Sequence, residues 1–531
     1  MKNKFRVILL VALIGAMLLS ACATTTNTNA SVQAATAETT TVSQNLESNS
    51  TTATQVVTDS TSGSQPASGE QPGGNPPSGN PPSGDPPSGN PSSGGQPGNP
   101  PNGNPPSGNP PSGGEPGSQP GGGNSSSSSA TLTGAYIIDG NSVTESNQTY
   151  TASSTDESAI YVINGGKAVL NNATINTSGD SSSSDNSSFY GQNAGLLVTE
   201  NSAVEMINST VLTTGDGANG VFASGEGAVI TISDTNIDCT GQYAHAVMAT
   251  RGGTLIVTNV NMITAGGSSG AIATDRGSGT ITVNGGTIKT TGSNSPAIYS
   301  TGVITVTDAT MIATGSEAAV IEGSNSIILN NDSLSSSFAN KWGVMIYQSM
   351  SGDAEGTQGT FTMTGGTLEY TSTMGPLFYI TNSTAIINLK NVNVSAASGV
   401  LVNAAAGNWG NSGSNGGAVV MTADHQTLSG NLTADNISSI SLTLQNGSKL
   451  TGAINADQTA ESIDLTLDSS SSWVVTANSH LTKISGAAIS GSSITNITGN
   501  GFTITYDSSS NPALGGKTYT LVGGGTLQPA K

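Results

Sequence analysis

The feature that most constrains the fold is a short segment that recurs at a nearly regular interval from Ala130 onward. Each copy has a small residue, two or three apolar residues, a polar turn and a second short strand. The copies start at Ala159, Gly195, Gly220, Ala246, Ala271, Ala297 and Ala319, so the first interval is long, the last is short and the others are nearly equal. One copy cannot bury its apolar face alone, so the copies must stack on one another.

A second landmark fixes the same point in nine successive copies. Its polar members are Asn172, Asn208, Asp234, Asn259, Gly285, Asp308, Asn331, Gly365 and Asn391. Three positions later stand Ile175, Val211, Ile237, Met262, Ile288, Met311, Leu334, Leu368 and Val394. Asn, Asp and Gly tolerate the left-handed backbone of sharp corners. Coils of this length, with strands this short, are typical of a right-handed parallel β-helix.

We therefore predict an all-β chain whose residues 130–500 form a parallel β-helix of about 12–13 coils, with 501–531 as a C-terminal cap. Charged residues are only 9% of the chain and glycines number 70, which disfavours helices because Gly, Ser, Thr and Asn are poor helix formers. A propeller blade needs about 40 residues. The net charge of −20 is unsuited to nucleic acid, which requires clustered cations.

The N-terminus has the pattern of a bacterial lipoprotein signal. Lys2, Lys4 and Arg6 precede an apolar run, and Leu19-Ser20-Ala21-Cys22 resembles a lipobox. The resemblance implies that 1–22 is a signal peptide, that Cys22 is lipidated, and that the protein is anchored on the extracellular face of a bacterial membrane, at the cell surface. Residues 23–129 are rich in Pro, Gly and Ser, which predicts a disordered stalk.

The coil pattern over about 135–505 resembles the pectin-lyase-like β-helix superfamily. The segments Gly447-Ser448-Lys449-Leu450-Thr451-Gly452 and Ser472-Trp473-Val474-Val475-Thr476-Ala477-Asn478-Ser479-His480-Leu481 are similar to the C-terminal ends of autotransporter adhesin passengers. The resemblance implies a role in surface binding. The same superfamily contains carbohydrate-binding modules and polysaccharide lyases, so it also leaves an enzyme open.

Charged residues at one turn of successive coils form the first candidate site. Arg251 and Arg276 stand at the same point of successive coils, with Asp275 beside the second, and Glu200, Glu226 and Glu322 fall in the same turn of other coils. Such an edge could bind sugars or carboxylates. A lyase would use Arg251, Asp275 and Arg276 as its centre, since it needs a base and charge neutralisation. The alternative is a solvated turn with a weak Glu226–Arg251 pair.

An aromatic row forms the second candidate site. The residues two past each repeat start are Tyr161, Leu197, Phe222, Met248, Ala273, Tyr299 and Ile321. The residues one before them are uniformly Ile, Val or Leu, which indicates the interior. We expect Tyr161, Phe222 and Tyr299 to face outward, where aromatic rings can stack on sugars. Alternatively, the insertion at Asp180 to Gln192 covers the row, or the two faces are reversed.

No metal or cofactor site is predicted, since His245, His425 and His480 are far apart and show no ligand spacing. Cys239 is expected to be a small buried hydrophobe. The first hypothesis is a lipid-anchored, adhesin-like or glycan-binding surface protein whose partners are the membrane and a polysaccharide or host-surface ligand. The alternatives are a polysaccharide lyase or glycosidase, and a structural rod without a ligand.

Overall fold

The structure, a computed structural model, describes residues 55–58, 129–339 and 341–531. These residues form an all-β parallel β-helix of about 16 turns. The predicted signal peptide, Cys22 and most of the predicted stalk lie outside the described residues. Within the described part of the chain, no helix combines the length and the apolar character needed to cross a membrane.

The first sheet, sheet A, has 13 strands, of which all but the first run parallel in chain order. Its strands are Gln55–Thr58, Ser129–Asp139, Glu157–Ile163, Leu196–Thr199, Val221–Ser224, Val247–Thr250, Ile272–Asp275, Ile298–Ser300, Ala319–Glu322, Val344–Tyr347, Phe378–Thr381, Val400–Ala404 and Asn431–Ala434. Each coil contributes one strand, and its neighbours in the sheet come from the coils before and after it.

The second sheet, sheet B, has 22 strands in two adjoining ladders that share two long strands, Thr254–Thr264 and Thr280–Thr290. The remaining strands of the first ladder are Ser142–Ser146, Lys167–Asn171, Ala203–Ile207, Val229–Ser233, Val303–Thr307, Ser326–Asn330, Gln358–Thr364, Ser383–Lys390, Gly417–Asp424, Ser439–Gln445, Ser462–Leu467 and Lys483–Ser485. Those of the second ladder are Thr149–Ala152, Thr174–Thr177, Thr210–Thr213, Asn236–Cys239, Thr310–Ala313, Ser333–Ser336, Thr367–Tyr370 and Asn393–Ala396.

The third sheet, sheet C, closes the C-terminal end with nine strands. They are Thr427–Ser429, Lys449–Thr451, Ser472–Val474, Ser479–Leu481, Ile489–Ser490, Ser493–Thr498, Thr503–Tyr506, Tyr519–Val522 and Thr526–Pro529. Two helices complete the described elements, the α-helix α1 at Ser184–Tyr190 and a 3-10 turn at Pro512–Leu514.

The corners between the two ladders of sheet B form where the sequence predicts them. All nine landmark residues have positive φ, from 49° at Asp234 to 69° at Gly285. Their side chains stack between coils: the Asn259 amide donates to Asp234 (2.6 Å) and the Asn331 amide donates to Asp308 (2.7 Å). A corner residue of one coil is thus held by the corner residue of the previous coil.

The core fills the space between the sheets. Strands alternate buried and more exposed residues, as in Val229–Ser233, because successive side chains point to opposite faces. Like residues stack on like, so that Ile160 pairs with Leu196 and Val211 pairs with Ile237. Trp473 is fully buried, and its indole N–H donates to the Gly452 carbonyl (2.9 Å).

The number of coils exceeds the 12–13 that the repeats predict. Part of the excess lies at the C-terminal end, past residue 500. Strand Ser129–Asp139 already pairs in parallel with Glu157–Ile163, and Thr503–Tyr506 still pairs in parallel with Thr526–Pro529. The segment predicted as a cap therefore contains further parallel strands.

One strand lies inside the segment that the sequence predicts to be a stalk. Gln55–Thr58 pairs antiparallel with Ser129 to Leu132, at the edge of sheet A. The chain therefore meets this sheet edge twice, once at Gln55 and again at Ser129.

Candidate functional site

The aromatic row of sheet A is on the outside of the solenoid, but its N-terminal half is covered. Ile160 and Leu196 belong to the core between the sheets. Tyr161 and Phe222 point the other way and are nevertheless fully buried, in a second apolar cluster with Tyr190. The expectation that these two rings are exposed is wrong, and the alternative that the 180–192 insertion covers them is confirmed.

The cover consists of helix α1 and the beginning of strand Ser129–Asp139. The Ser183 hydroxyl accepts a hydrogen bond from the backbone N–H of Asn186 (3.2 Å) and starts the helix. Gly191 ends it with φ of 78°, and a Cβ at Gly191 would lie 2.6 Å from Leu197 and 2.7 Å from Phe222. The chain therefore turns so close to the row that only glycine fits.

The outer row beyond Ala273 continues through Tyr299, Val320, Met345 and Tyr379. The sequence places Ile321 in this row, which is wrong by one residue. The interval to the copy at Ala319 is shorter than the others, and the ladder pairs Ile298 with Ala319. Ile321 consequently points inward, where it is fully buried.

In this C-terminal part of the outer row, which we call the open face, Val320, Met345 and Tyr379 are buried, but the residues that cover them are themselves partly exposed. Partly exposed aromatic residues pack on it, namely Tyr299, Trp342, Tyr347 and Trp409. Trp342 stacks on Tyr379 with ring centres 4.1 Å apart, and Tyr347 lies 4.9 Å from Trp409. Aromatic faces of this kind can stack on sugar rings.

Trp409 belongs to the side loop of residues 405–416, between the strands Val400–Ala404 and Gly417–Asp424. Asn415 holds this loop, since its side-chain amide donates to the carbonyls of Gly407 (3.0 Å) and Trp409 (2.9 Å). The indole is thereby kept beside Tyr347 by a buried polar residue.

A buried carboxylate organises the open face. Glu322, which is 1% exposed, accepts hydrogen bonds from the hydroxyls of Tyr299 (2.5 Å) and Tyr347 (2.7 Å). The backbone N–H and the hydroxyl of Ser349 donate to its other oxygen. Glu322 therefore positions both phenol rings and is itself satisfied by neutral donors.

Asp275 lies at the end of its strand in the same region. Its side chain accepts a hydrogen bond from the backbone N–H of Arg276 (2.7 Å). Burial raises its pKa to about 8, and the charges of Asp353 and Glu322 act in the same direction. Asp275 thus holds its proton at neutral pH while Glu322 lies nearby as a second carboxyl group.

The two candidate arginines are engaged at the border between the covered part and the open face. The Arg276 guanidinium lies 3.9 Å from the centre of the Phe189 ring and 3.4 Å from the Asp353 carboxylate. The Arg251 guanidinium lies 5.4 Å from the Tyr190 ring and pairs with Glu200 (3.6 Å). The solvated-turn alternative paired Arg251 with Glu226. In the structure Arg251 pairs with Glu200, and Glu226 is exposed.

The histidines and the cysteine lie elsewhere. His245 is buried, which lowers its pKa to about 4, and its Nδ1 is 2.9 Å from the Gly270 carbonyl. Cys239 is buried as predicted, and burial raises its pKa to about 12. Across the described residues, no group of three or more His, Cys, Asp or Glu is arranged to hold a metal ion.

Sequence reasoning missed Trp342, Tyr347, Asp353, Tyr379 and Trp409. They lie after about residue 340, where insertions interrupt the period and the row cannot be followed by counting. One signal was available, because all three tryptophans of the chain lie beyond residue 340, and Trp409 lies inside the 405–416 loop.

The fold defines a parallel β-helix protein with an aromatic and acidic open face on one sheet. No family model matches the chain, and no curated protein matches it in sequence.

Proposed function

We propose that this protein is a glycan-binding β-helix, adhesin-like in role, that is held by lipid on Cys22 at the surface of a bacterial cell. The observation that carries the proposal is the open face, where Tyr299, Tyr347 and Trp409 stand partly exposed beside Asp275 and Asp353. Aromatic faces supply stacking area, and neighbouring carboxyl groups supply hydrogen-bond acceptors for sugar hydroxyls.

Glu322 supports this role indirectly. It holds two phenol rings through their hydroxyls, so the ring positions are fixed before a ligand arrives. Ligand binding then costs less conformational entropy than it would with free side chains. The covered half of the row offers no such surface, because α1 already lies on Tyr161 and Phe222.

A binding screen of the purified full-length protein against plant, host and bacterial polysaccharides tests the proposal. We expect Trp409→Ala and Tyr347→Ala to weaken binding by about tenfold or more, the range of one lost aromatic contact. Tyr243→Ala is the matched control, since Tyr243 is 42% exposed and lies away from the open face. Equal binding by all three variants contradicts the proposal.

The membrane anchor is tested separately. Growth with labelled palmitate is expected to label the protein, and Cys22→Ala is expected to abolish the label and release the protein from membranes. Labelling that persists in Cys22→Ala would place the lipid elsewhere.

A specific observation favours a second candidate, a glycosidase on the same surface. Asp275, with its pKa near 8, is a protonated acid at neutral pH, and the carboxyl group of Glu322 contributes to that shift. Glycosidases use a pair of carboxyl groups, one of which donates a proton to the leaving group. Release of reducing ends from a bound polysaccharide, abolished by Asp275→Asn, would replace the binding proposal with this one.

A further inference from the structure

The charges around the open face are unequal. Asp275, Glu322 and Asp353 contribute three carboxyl groups, whereas Arg276 contributes one cation, and that cation pairs with Asp353. The donors to Glu322 are the phenols of Tyr299 and Tyr347 and the N–H and hydroxyl of Ser349, all of them neutral. Asp275 holds its proton at neutral pH, so the negative potential of the face comes from Glu322 and Asp353, and Asp353 is the one that Arg276 pairs with.

The cations at its border are already occupied. Arg276 lies against Phe189 and Asp353, and Arg251 lies against Tyr190 and Glu200. On the other side, Lys341 pairs with Glu317 (3.4 Å). To bind a cation here, an anionic sugar would first have to break one of these ion pairs. It would also lie close to the carboxyl groups of Asp275, Glu322 and Asp353.

Two polar groups in this region have unfavourable surroundings, the carboxyl group of Asp275 and the hydroxyl of Thr301. Asp275 keeps its proton because burial disfavours its ionised form, and the charges of Asp353 and Glu322 add to this effect. Thr301, which directly follows the strand between those of Asp275 and Glu322, has a buried hydroxyl with no hydrogen-bond partner among the described residues. A cationic ligand beside Asp275 would favour the ionised form of this carboxyl group.

From this charge distribution we infer that the ligand of the open face is an amine-bearing glycan, a polymer that contains glucosamine, rather than a uronate polymer. The inference rests on the proposed glycan-binding function and adds the ligand class. The aromatic rings stack on the sugar and attract its ammonium group, while Asp275 and Asp353 accept hydrogen bonds from it.

The test compares three hexasaccharides on the full-length protein by calorimetry: hexaglucosamine, its fully N-acetylated form and hexagalacturonate. We expect hexaglucosamine to bind about tenfold more tightly than the acetylated form at about 0.05 M salt, with the ratio shrinking at about 0.5 M salt. Binding should release protons from Asp275, which is seen as a dependence of the heat on the buffer. Asp275→Asn should abolish this proton release.

Matched variants separate this site from general attraction to an acidic protein. Asp353→Asn should reduce the preference for the amine, whereas Glu205→Gln, an exposed glutamate on the outer face of sheet B, should leave it unchanged. Equal loss in both variants overturns the inference, because non-specific attraction to the acidic protein would then explain the preference.

The outcomes distinguish the two proposals. If the acetylated sugar or the uronate binds as tightly as the amine, and Trp409→Ala removes that binding, the inference on ligand class fails while glycan binding stands. If none of the three sugars binds, and the polysaccharide screen is also silent, both proposals fail together.

Discussion

The covered and open parts of sheet A occupy the same row of the same sheet, yet different groups cover them. In the covered part, Phe222 lies under Gly191 and helix α1 and is fully buried. In the open face, Tyr299 occupies the corresponding position in a later coil, is partly exposed, and bonds to Glu322. A repeat fixes which way a side chain points, but an insertion elsewhere in the chain decides whether it meets solvent.

The two parts also differ in the polar groups that they bury. The covered part is an apolar cluster of Tyr161, Leu197, Phe222 and Met248 closed by Tyr190. The open face buries a carboxylate among tyrosines. The covered part is therefore expected to respond to mutation through stability, and the open face is expected to respond through binding and titration.

The largest effect that separates the two parts is predicted for Phe222→Ala. Removing a fully buried phenyl ring leaves a cavity and costs about 3–5 kcal/mol. Because a solenoid opens locally, native-state hydrogen exchange is the measurement, with protection falling about a hundredfold or more at Leu197 and Met248. These two residues flank Phe222 in the ladder.

Trp409→Ala is the matched change in the open face. Its ring is partly exposed and packs on Tyr347 from a side loop, so protection in sheet A should fall much less than in Phe222→Ala. Similar losses from both variants would show that the open face is a second structural core rather than a free surface.

The sequence alone predicted the parallel β-helix, because the corner residues and the inward aliphatic row repeat at a fixed period. All nine predicted corners have positive φ, a conformation that Asn, Asp and Gly tolerate and that hydrogen bonds between stacked corner residues support. The sequence also placed the row of Tyr161 and Phe222 outside the core, which is right.

The open face could not be predicted in the same way. Tyr347 and Trp409 join the same face as Tyr299 only when the coils stack in register. Beyond about residue 340, insertions of different length prevent that register from being read from the repeat spacing. The state of Asp275 likewise depends on Asp353, which a side loop brings within range from a distant part of the chain.

A smaller effect is predicted for Gly191→Ala, which tests whether α1 is tightly fitted. The backbone of Gly191 has φ of 78°, and an added Cβ would meet Leu197 and Phe222 at 2.6 and 2.7 Å. Strain in the left-handed conformation and displacement of these side chains together cost about 1–3 kcal/mol. Exchange should accelerate in α1 and along the covered row.

Gly399→Ala is the control for backbone conformation alone. Gly399 also has positive φ, 74°, but no atom of the described residues lies within 4 Å of an added Cβ. We expect a loss of about 1 kcal/mol there. An equal loss at both glycines would mean that the fit of α1 against the row contributes nothing beyond backbone strain.

The smallest effect is a dependence of stability on pH that belongs to the open face. The pKa of Asp275 rises from 3.8 to about 8 on folding, so the folded protein binds this proton more tightly than the unfolded chain does. The resulting stabilisation is complete below about pH 4, falls as the pH rises from about 4 to about 8, and levels off above that. Its slope is at most about 1.4 kcal/mol per pH unit.

The window from about pH 7 to 9 isolates this group, because Asp332, with a pKa raised to about 6, and His245, with a pKa lowered to about 4, titrate below it. Thermal unfolding of the full-length protein across this window should show a midpoint that falls up to about pH 8 and then levels off, and Asp275→Asn should flatten the curve. Glu322→Gln should keep a fall but move it to lower pH, since one of the charges that raise the pKa of Asp275 is removed. A slope that survives Asp275→Asn would assign the titration to another group and weaken the contrast between the two parts of sheet A.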